Sequence, residues 1–204
     1  MENERQIFSD EDLARQTQAG SLPAFDELIL RYHRRVYAFV IQFCQNPSDA
    51  AELTQDTFVR AFQAINSFHP QRPFAAWLFT IARNNCIDHH RSAPPIADAP
   101  VPELPDANDP GRQLLQAEDR MGIWDQARRL LPAGQFTALW LKYAEDMSIG
   151  EISQVLQKTQ THVKVLLFRG RRVLARELVA PERELPSILP APMGVALASR
   201  KGIA

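Results

Sequence analysis

The stretch that decides the fold runs from Asp49 to Arg91 and reads DAAELTQDTFVRAFQAINSFHPQRPFAAWLFTIARNNCIDHHR. Apolar residues recur at helical spacing on both sides of a proline-containing loop, Ser67–Pro73, and this pattern predicts two helices. The second helix is apolar on one side and gathers polar groups toward its end: Arg83, Asn84, Asn85, His89, His90 and Arg91. Two buried structural helices do not need such a collection, whereas a surface that meets nucleic-acid bases and phosphates does.

Composition and charge narrow the class of protein. The chain has 204 residues, 45% of them hydrophobic and 23% charged, which is ordinary for a soluble globular protein of one domain or two small ones. The formal net charge is −1, so a nucleic-acid partner requires a local basic face. No apolar run resembles a signal peptide or approaches the roughly 18 residues of a membrane span. We expect a cytoplasmic protein without stable membrane insertion.

The first part of the chain, residues 9–92, is predicted to form one compact helical domain. Ser9 is a candidate N-cap, a longer amphipathic helix runs from about Ala24 to Cys44, and Ser48 is a candidate cap for the helix that follows. The cysteines, Cys44 and Cys86, lie within apolar helical patterns. They are predicted to be buried thiols, because neither has partners at disulfide-framework or metal-ligand spacing.

Residues 93–111 differ sharply in composition, being rich in proline and acidic residues and lacking Lys and Arg. Repeated proline excludes a helix here, and the segment has too little apolar area to order itself. We interpret it as a flexible acidic linker, although its charge also suits a segment that lies in a basic channel.

Helical patterning returns over residues 112–179, and a proline-containing tail, which we expect to lack a stable fold, occupies 180–204. Ser148 can cap a short helix, a brief connection follows at 157–160, and a last helix runs from about Thr161 to Leu178. These lengths indicate a helix-turn-helix. The prediction is therefore an all-α protein with two small helical domains, a bundle and a C-terminal helix-turn-helix domain, joined by a flexible linker.

The last helix has two distinct faces. One is an apolar stripe that includes Gly170, whose presence suggests close approach to another helix. The other side presents a set of candidate DNA-binding residues: Thr161, His162, Lys164, Val165, Phe168, Arg169 and Arg172. Six Lys or Arg and no acid occur between Lys158 and Arg176. A recognition helix has this character, but so does a merely solvated basic face.

Two groups of motifs resemble the bacterial RNA polymerase sigma factors, most closely the extracytoplasmic-function group. The second conserved region is matched by Asp49-Ala50, by Leu53-Thr54-Gln55-Asp56-Thr57-Phe58, and by Phe74, Trp77-Leu78 and Ile81-Ala82-Arg83-Asn84. The fourth region is matched by Ser148-Ile149, Ile152, Val163-Lys164 and Arg169 to Leu174. The chain departs from the family at Gln157, where glycine is usual, and at Val165 and Leu166.

The resemblance implies roles for particular residues. The residues that would dock on core RNA polymerase are Leu53, Gln55, Asp56 and Phe58, and the helical spacing of Leu53 and Phe58 also suits the hydrophobic core of the domain. The unpaired minus-ten element would be read by Phe68, His69, Arg72, Trp77, Arg83, Asn84 and Arg91. For Trp77 a core position is an equally good interpretation at this spacing. Adjacent His89 and His90 diverge on a helix, so we expect no metal site.

The function that the resemblance implies is promoter-specific transcription initiation without covalent chemistry. The domain at 9–92 would bind core polymerase and help to melt the minus-ten region, and the domain at 112–179 would bind the minus-thirty-five element of promoter DNA. An anti-sigma factor would be a further partner, and no cofactor, catalytic residue or metal is expected. The alternatives are a helix-turn-helix transcriptional regulator and a sigma-like adaptor that has lost promoter binding.

Overall fold

The computed structural model describes residues 8–44, 46–92 and 115–178. Within them the helices are α1 (Asp10–Gln18), α2 (Leu22–Cys44), α3 (Pro47–Gln63), α4 (Phe74–Ser92), α5 (Leu115–Leu130), α6 (Ala133–Tyr143), α7 (Ile149–Leu156) and α8 (Gln160–Leu178), with a 3₁₀ turn at Ile65–Ser67. The predicted all-α class is confirmed. The linker predicted at 93–111 and the tail predicted at 180–204 lie outside the described residues. None of these helices is long and apolar enough to cross a membrane.

Three helix starts show how local sequence sets the boundaries. Ser9 and Asp12 form a capping box at the start of α1, and Ser148 and Glu151 form another at the start of α7, so both predicted caps are confirmed. The cap predicted at Ser48 is wrong. Asn46 caps α3, and its side chain accepts a hydrogen bond from the Ser48 backbone N–H at 2.9 Å. Pro47 suits the first helical position because its missing N–H would have no acceptor there.

The core of the first four helices is built from aromatic rings. Phe39 and Phe79 are fully buried and meet edge to face with ring centroids 5.3 Å apart. Full burial of each such side chain contributes about 1.5–3 kcal/mol. Cys86 lies in this core, where burial raises the pKa of its thiol to about 12, whereas Cys44 is only half-buried. The buried-thiol prediction therefore holds for Cys86 and is too strong for Cys44.

A buried amide joins α3 to α4. The Asn85 side chain is 2% exposed and donates a hydrogen bond to the backbone carbonyl of Leu53 at 3.1 Å. It also lies 3.4 Å from the hydroxyl of Thr57. A buried amide needs such partners, because leaving it unsatisfied costs about 1–3 kcal/mol. The contact fixes the rotation of α4 against α3, and it thereby determines which side of α4 faces solvent.

The second group of helices packs around α6 and α8. Trp124 of α5 lies against Trp140 of α6 with ring centroids 4.9 Å apart. Gly170 of α8 sits directly over α6, and a Cβ atom placed there would lie 2.8 Å from Leu139 Cδ1. This confirms the close helix approach expected from Gly170. Val163 and Leu167 are buried on the same side of α8, as the apolar stripe predicted.

Candidate nucleic-acid interface

A cleft of about 220 Å³ lies beside the loop that joins α3 to α4. We call it the loop cleft. It is lined from this part of the chain by Ser67, Phe68, His69, Arg72, Trp77 and Thr80, and from α7 by Gln154. Its walls combine hydroxyl, imidazole, guanidinium, amide and aromatic groups. This mixture suits an unpaired nucleotide, which offers a flat ring, polar edges and a phosphate.

The first helix holds the loop in place. Gln18 donates two hydrogen bonds from its side-chain amide, both at 2.8 Å, to the backbone carbonyls of Ile65 and Phe68. Glu11 accepts a hydrogen bond from the backbone N–H of Phe74 at 3.0 Å and so satisfies a donor at the start of α4. Both ends of the loop are thus tied to α1 by side chains that the sequence motifs do not single out.

Two aromatic residues predicted to read bases have different environments. Phe68 is 2% exposed and packs against Phe74 and Trp77 at centroid distances of 5.5 and 5.3 Å. The expectation that Phe68 offers a free stacking face is therefore wrong, because the neighbouring rings already cover it. Trp77 is half-buried and lines the loop cleft, so its ring belongs to the aromatic cluster on one side and remains accessible on another.

The remaining residues predicted to read the minus-ten strand reach the surface. His69, Arg72, Asn84 and Arg91 are exposed, and Arg83 is half-buried. Burial lowers the pKa of Arg83, but a guanidinium stays charged in proteins. Among the described residues no carboxylate forms an ion pair with Arg83, so its charge is available to a phosphate.

The helix-turn-helix presents a second polar surface, on α8. All of the residues assigned to the recognition face are exposed: Thr161, His162, Lys164, Val165, Phe168, Arg169 and Arg172. The apolar side chains among them, Val165 and Phe168, are 39% and 59% exposed. Gln157 makes the turn before α8 in the left-handed conformation, with φ of 53°. Glutamine therefore adopts the backbone geometry for which glycine is usual.

Comparison with known proteins decides the family. The family model for Sigma-70 region 2 matches residues 28–94, and the family model for Sigma-70, region 4 matches residues 123–174. The chain is also similar to the ECF RNA polymerase sigma factor BldN of Streptomyces coelicolor, with 34% identity over 172 residues, or 82% of this chain. The chain belongs to the extracytoplasmic-function sigma factors. The family resemblance noted in the sequence is confirmed.

Other relatives extend the match across both groups of helices. The RNA polymerase sigma-H factor of Pseudomonas aeruginosa is 28% identical over 187 residues, covering 86% of this chain and 96% of that protein. The solved structure of CnrH in complex with the cytosolic domain of CnrY has a TM-score of 0.63 and 26% identity, covering 85% of this chain and 99% of CnrH. By contrast, this sigma factor spans only 65% of the length of BldN.

The residues assigned to polymerase docking in this sigma factor divide into two groups. Leu53 and Phe58 are each 6% exposed and belong to the core, whereas Gln55 is exposed and Asp56 is partly exposed. The surface area that Leu53 and Phe58 can offer to the polymerase is therefore small. Asp56 forms an ion pair with Arg60 at 2.8 Å on the outer side of α3.

Sequence reasoning missed two apolar residues on the same helix. Val59 is 53% exposed and Phe62 is 41% exposed. Phe62 still packs on Phe25, with ring centroids 5.0 Å apart. Residues 55, 59 and 62 share one face by helical spacing, so an apolar and polar strip runs along the outside of α3. The helical spacing of these residues could have predicted this strip, but the family motif ends at Phe58 and includes neither Val59 nor Phe62.

An ion pair between the two groups of helices was also missed. Arg35 of α2 lies 2.8 Å from a carboxylate oxygen of Glu145, in the turn after α6, and the Glu145 side chain is only 4% exposed. Helix α7 also packs against α4, so the two groups of helices meet at more than this pair. No sequence motif marks either residue, because their partnership depends on a separation of more than a hundred positions along the chain.

Proposed function

We propose that this sigma factor directs promoter-specific initiation by core RNA polymerase in the cytoplasm, without covalent chemistry. The outer face of α3 docks on the polymerase, the loop cleft and the end of α4 hold the melted minus-ten strand, and α8 enters the major groove at the minus-thirty-five element. The observation that carries this proposal is the exposure of every assigned recognition residue on the second helix of a helix-turn-helix.

The surfaces suit these roles physically. On α8, exposed Thr161, Lys164 and Val165 lie near the N-terminal end, where a recognition helix contacts base edges. Arg169 and Arg172 lie farther along and suit phosphates. On α4 the positive charge of Arg83 and the amide of Asn84 lie on the helix that borders the loop cleft. We further propose an anti-sigma protein as a partner, since CnrH was solved with the cytosolic domain of CnrY.

The recognition helix is tested by Lys164→Ala and Arg172→Ala. Each variant is expected to weaken promoter binding by the polymerase holoenzyme and to reduce the salt slope by about 1, because each removes one positive contact. Binding is measured by filter retention over a range of salt, and run-off transcription from a genomic library identifies the promoters. Arg176→Ala is the control, since Arg176 already pairs with Glu177 at 3.1 Å.

Unchanged promoter binding in both variants would contradict the assignment of α8. Duplex binding by the chain alone, as a dimer, would favour the ordinary helix-turn-helix regulator. Polymerase binding without any promoter-dependent transcript would favour the adaptor that has lost promoter recognition.

The docking face is tested by Asp56→Arg. Asp56→Arg removes the exposed ion pair with Arg60 and adds a like-charge contact of similar size, so the fold loses only about 0.5–1 kcal/mol, and a larger effect on polymerase binding must arise at the interface. We expect at least a tenfold loss of affinity for core polymerase, or about 1.4 kcal/mol, measured by interferometry. Asp125→Arg reverses an exposed charge on α5 and should bind normally. Full binding by Asp56→Arg would show that this face of α3 does not contact the polymerase.

A further inference from the structure

Two of the positions at which α8 departs from its family have different environments. Leu166 is half-buried and packs against the core, and a Cβ atom placed at Gly134 of α6 would lie 4.0 Å from its Cδ2 atom. Val165 is 39% exposed and lies on the face assigned to DNA. The change at Leu166 is therefore accommodated inside the second group of helices, whereas the change at Val165 alters the proposed recognition surface.

Val165 belongs to a row of side chains along α8. Four exposed residues recur at intervals of four, three and four positions, so they share one face of the helix. They are Thr161, Val165, Phe168 and Arg172. The middle of this row is apolar, because Phe168 is 59% exposed and follows Val165 by about 4.5 Å along the helix axis. A hydroxyl stands at the start of the row and a guanidinium at its end.

Positive charge surrounds this apolar pair. Lys164 and Arg169 flank it in sequence and are exposed, and among the described residues no carboxylate forms an ion pair with either of them. Apolar side chains within a basic face suit the major groove of a DNA duplex, where phosphates line the edges and the bases form the floor.

Thymine is the base that such a pair can recognise. In the major groove the base edges present hydrogen-bond donors and acceptors, and thymine alone adds a methyl group. Valine and phenylalanine side chains cannot form hydrogen bonds, so against the other three bases they would leave polar groups without partners. Two side chains about 4.5 Å apart along the helix also match neighbouring base pairs, which follow one another at about 3.4 Å.

We propose that Val165, supported by Phe168, is a specificity-determining residue that reads a thymine methyl group in the minus-thirty-five element. This inference rests on the proposed role of α8 as the recognition helix. It adds the chemical identity of a base that the helix prefers, and it assigns that preference to the position at which the exposed face departs from the family.

The preferred bases are found by selection. Polymerase holoenzyme containing this chain is bound to promoter duplexes in which the upstream element is randomised, and thymine is expected at one or two neighbouring positions on either strand. Each selected thymine is then replaced singly by deoxyuridine, which removes only the C5 methyl group and keeps the base pair. At the position that Val165 contacts, wild type should bind the deoxyuridine duplex about fourfold more weakly, which corresponds to about 0.8 kcal/mol.

Substitutions at Val165 assign the effect to this side chain. Val165→Ser removes both γ-methyl groups, and its penalty for deoxyuridine should fall to about one. Val165→Thr keeps one γ-methyl group and should retain most of the penalty. Each variant is compared with itself on two duplexes, so changes in folding or in polymerase binding cancel. Deoxyuridine at thymines outside the randomised window is the control and should change the affinity of none of the three proteins.

Equal binding of thymine and deoxyuridine duplexes by wild type would overturn the inference, as would the same penalty in Val165→Ser as in wild type. A selected element without thymine would also overturn it, while leaving α8 as the recognition helix. If no sequence is selected in the randomised window and Lys164→Ala leaves promoter binding unchanged, the proposed role of α8 fails, and the inference fails with it.

Discussion

Gln157 holds the turn between α7 and α8 in the left-handed region, with φ of 53° and ψ of 44°. A side chain with a Cβ atom costs about 1–2 kcal/mol in this conformation, whereas glycine adopts it readily. The departure from the family's usual glycine therefore leaves the helix-turn-helix formed but less stable than it could be. The turn is kept by the backbone N–H of Lys158, which donates to the Ser153 carbonyl at 3.0 Å.

Gln157→Gly is accordingly expected to stabilise the protein by about 1 kcal/mol. The free energy of unfolding is measured by urea titration. The matched control is Gln154→Gly, which makes the same chemical change inside α7 and should destabilise by about 1 kcal/mol because glycine is a poor helix former. Opposite signs for the two variants would confirm that backbone conformation, not loss of the glutamine side chain, is responsible.

Two adjacent asparagines on α4 show that residue type alone does not predict which side chain faces solvent. Asn84 is exposed and belongs to the candidate strand surface, whereas Asn85 is buried and bonds to the Leu53 carbonyl. The motif makes both asparagines stand out, and the spacing indicates that they point in different directions. Only the packing of α4 on α3 decides which one faces solvent, since a rotation of about 100° about the helix axis would turn Asn84 to the direction in which Asn85 now points.

At the scale of elements, α1 holds the loop between α3 and α4, a role that no motif in its sequence predicts. It lies before residues 28–94, the range matched by the region 2 family model, yet it supplies the side chains that hold the loop. Its capping box at Ser9 was predictable from local sequence because the partners are three residues apart. The bonds from Gln18 to Ile65 and Phe68 were not, because they join residues about fifty positions apart.

Gln18→Ala should loosen the loop between α3 and α4. The variant loses two hydrogen bonds to backbone carbonyls, each worth about 0.5–1.5 kcal/mol. We expect weaker open-complex formation with unchanged affinity for the minus-thirty-five element, because α8 is not touched. Permanganate footprinting of the melted region and filter binding to an isolated upstream element measure the two effects. Gln16→Ala, on the same helix, is the control, and an equal defect in both variants would contradict a positioning role.

The sequence predicted which residue types lie in the candidate strand site, but it did not predict which way the Phe68 side chain points. Its residue types and its loop came from the pattern around Ser67–Pro73, and His69 and Arg72 are exposed as expected. Phe68 was misassigned because an aromatic residue in a polar loop has the same sequence signature whether it turns outward or inward. In the fold it turns inward, where Phe74 and Trp77 surround it.

At the scale of the whole molecule, Glu145 makes the contact between the two groups of helices sensitive to pH. Burial raises the pKa of its carboxyl group, and this effect outweighs the lowering by Arg35. The ion pair is therefore better regarded as a determinant of register than as a source of net stability. The folded chain, in which this carboxyl has the raised pKa, binds a proton more readily than the unfolded chain, in which Glu145 is in water.

The contribution of Glu145 to the free energy of unfolding should consequently grow as pH falls through the raised pKa, and it should be lost as pH rises through that pKa. Urea titration at several pH values measures this dependence. Glu145→Gln has no titrating group at this position, so the difference between wild type and this variant isolates the contribution of Glu145. A difference of the opposite sign would show that the ionised pair stabilises the fold.

The sequence by itself determined the helical class, two of the three predicted caps, the helix-turn-helix and the family, because these depend on spacing within short segments. Hydrophobic periodicity and capping act over a few residues and can be read in order along the chain. Only the tertiary structure decided that Phe68 is buried, that Val59 is exposed, and that Arg35 meets Glu145. These depend on the rotation of each helix against its neighbours and on contacts between distant residues. The stretch from Asp49 to Arg91 thus specifies its two helices, and their packing partners decide which of its faces can meet nucleic acid.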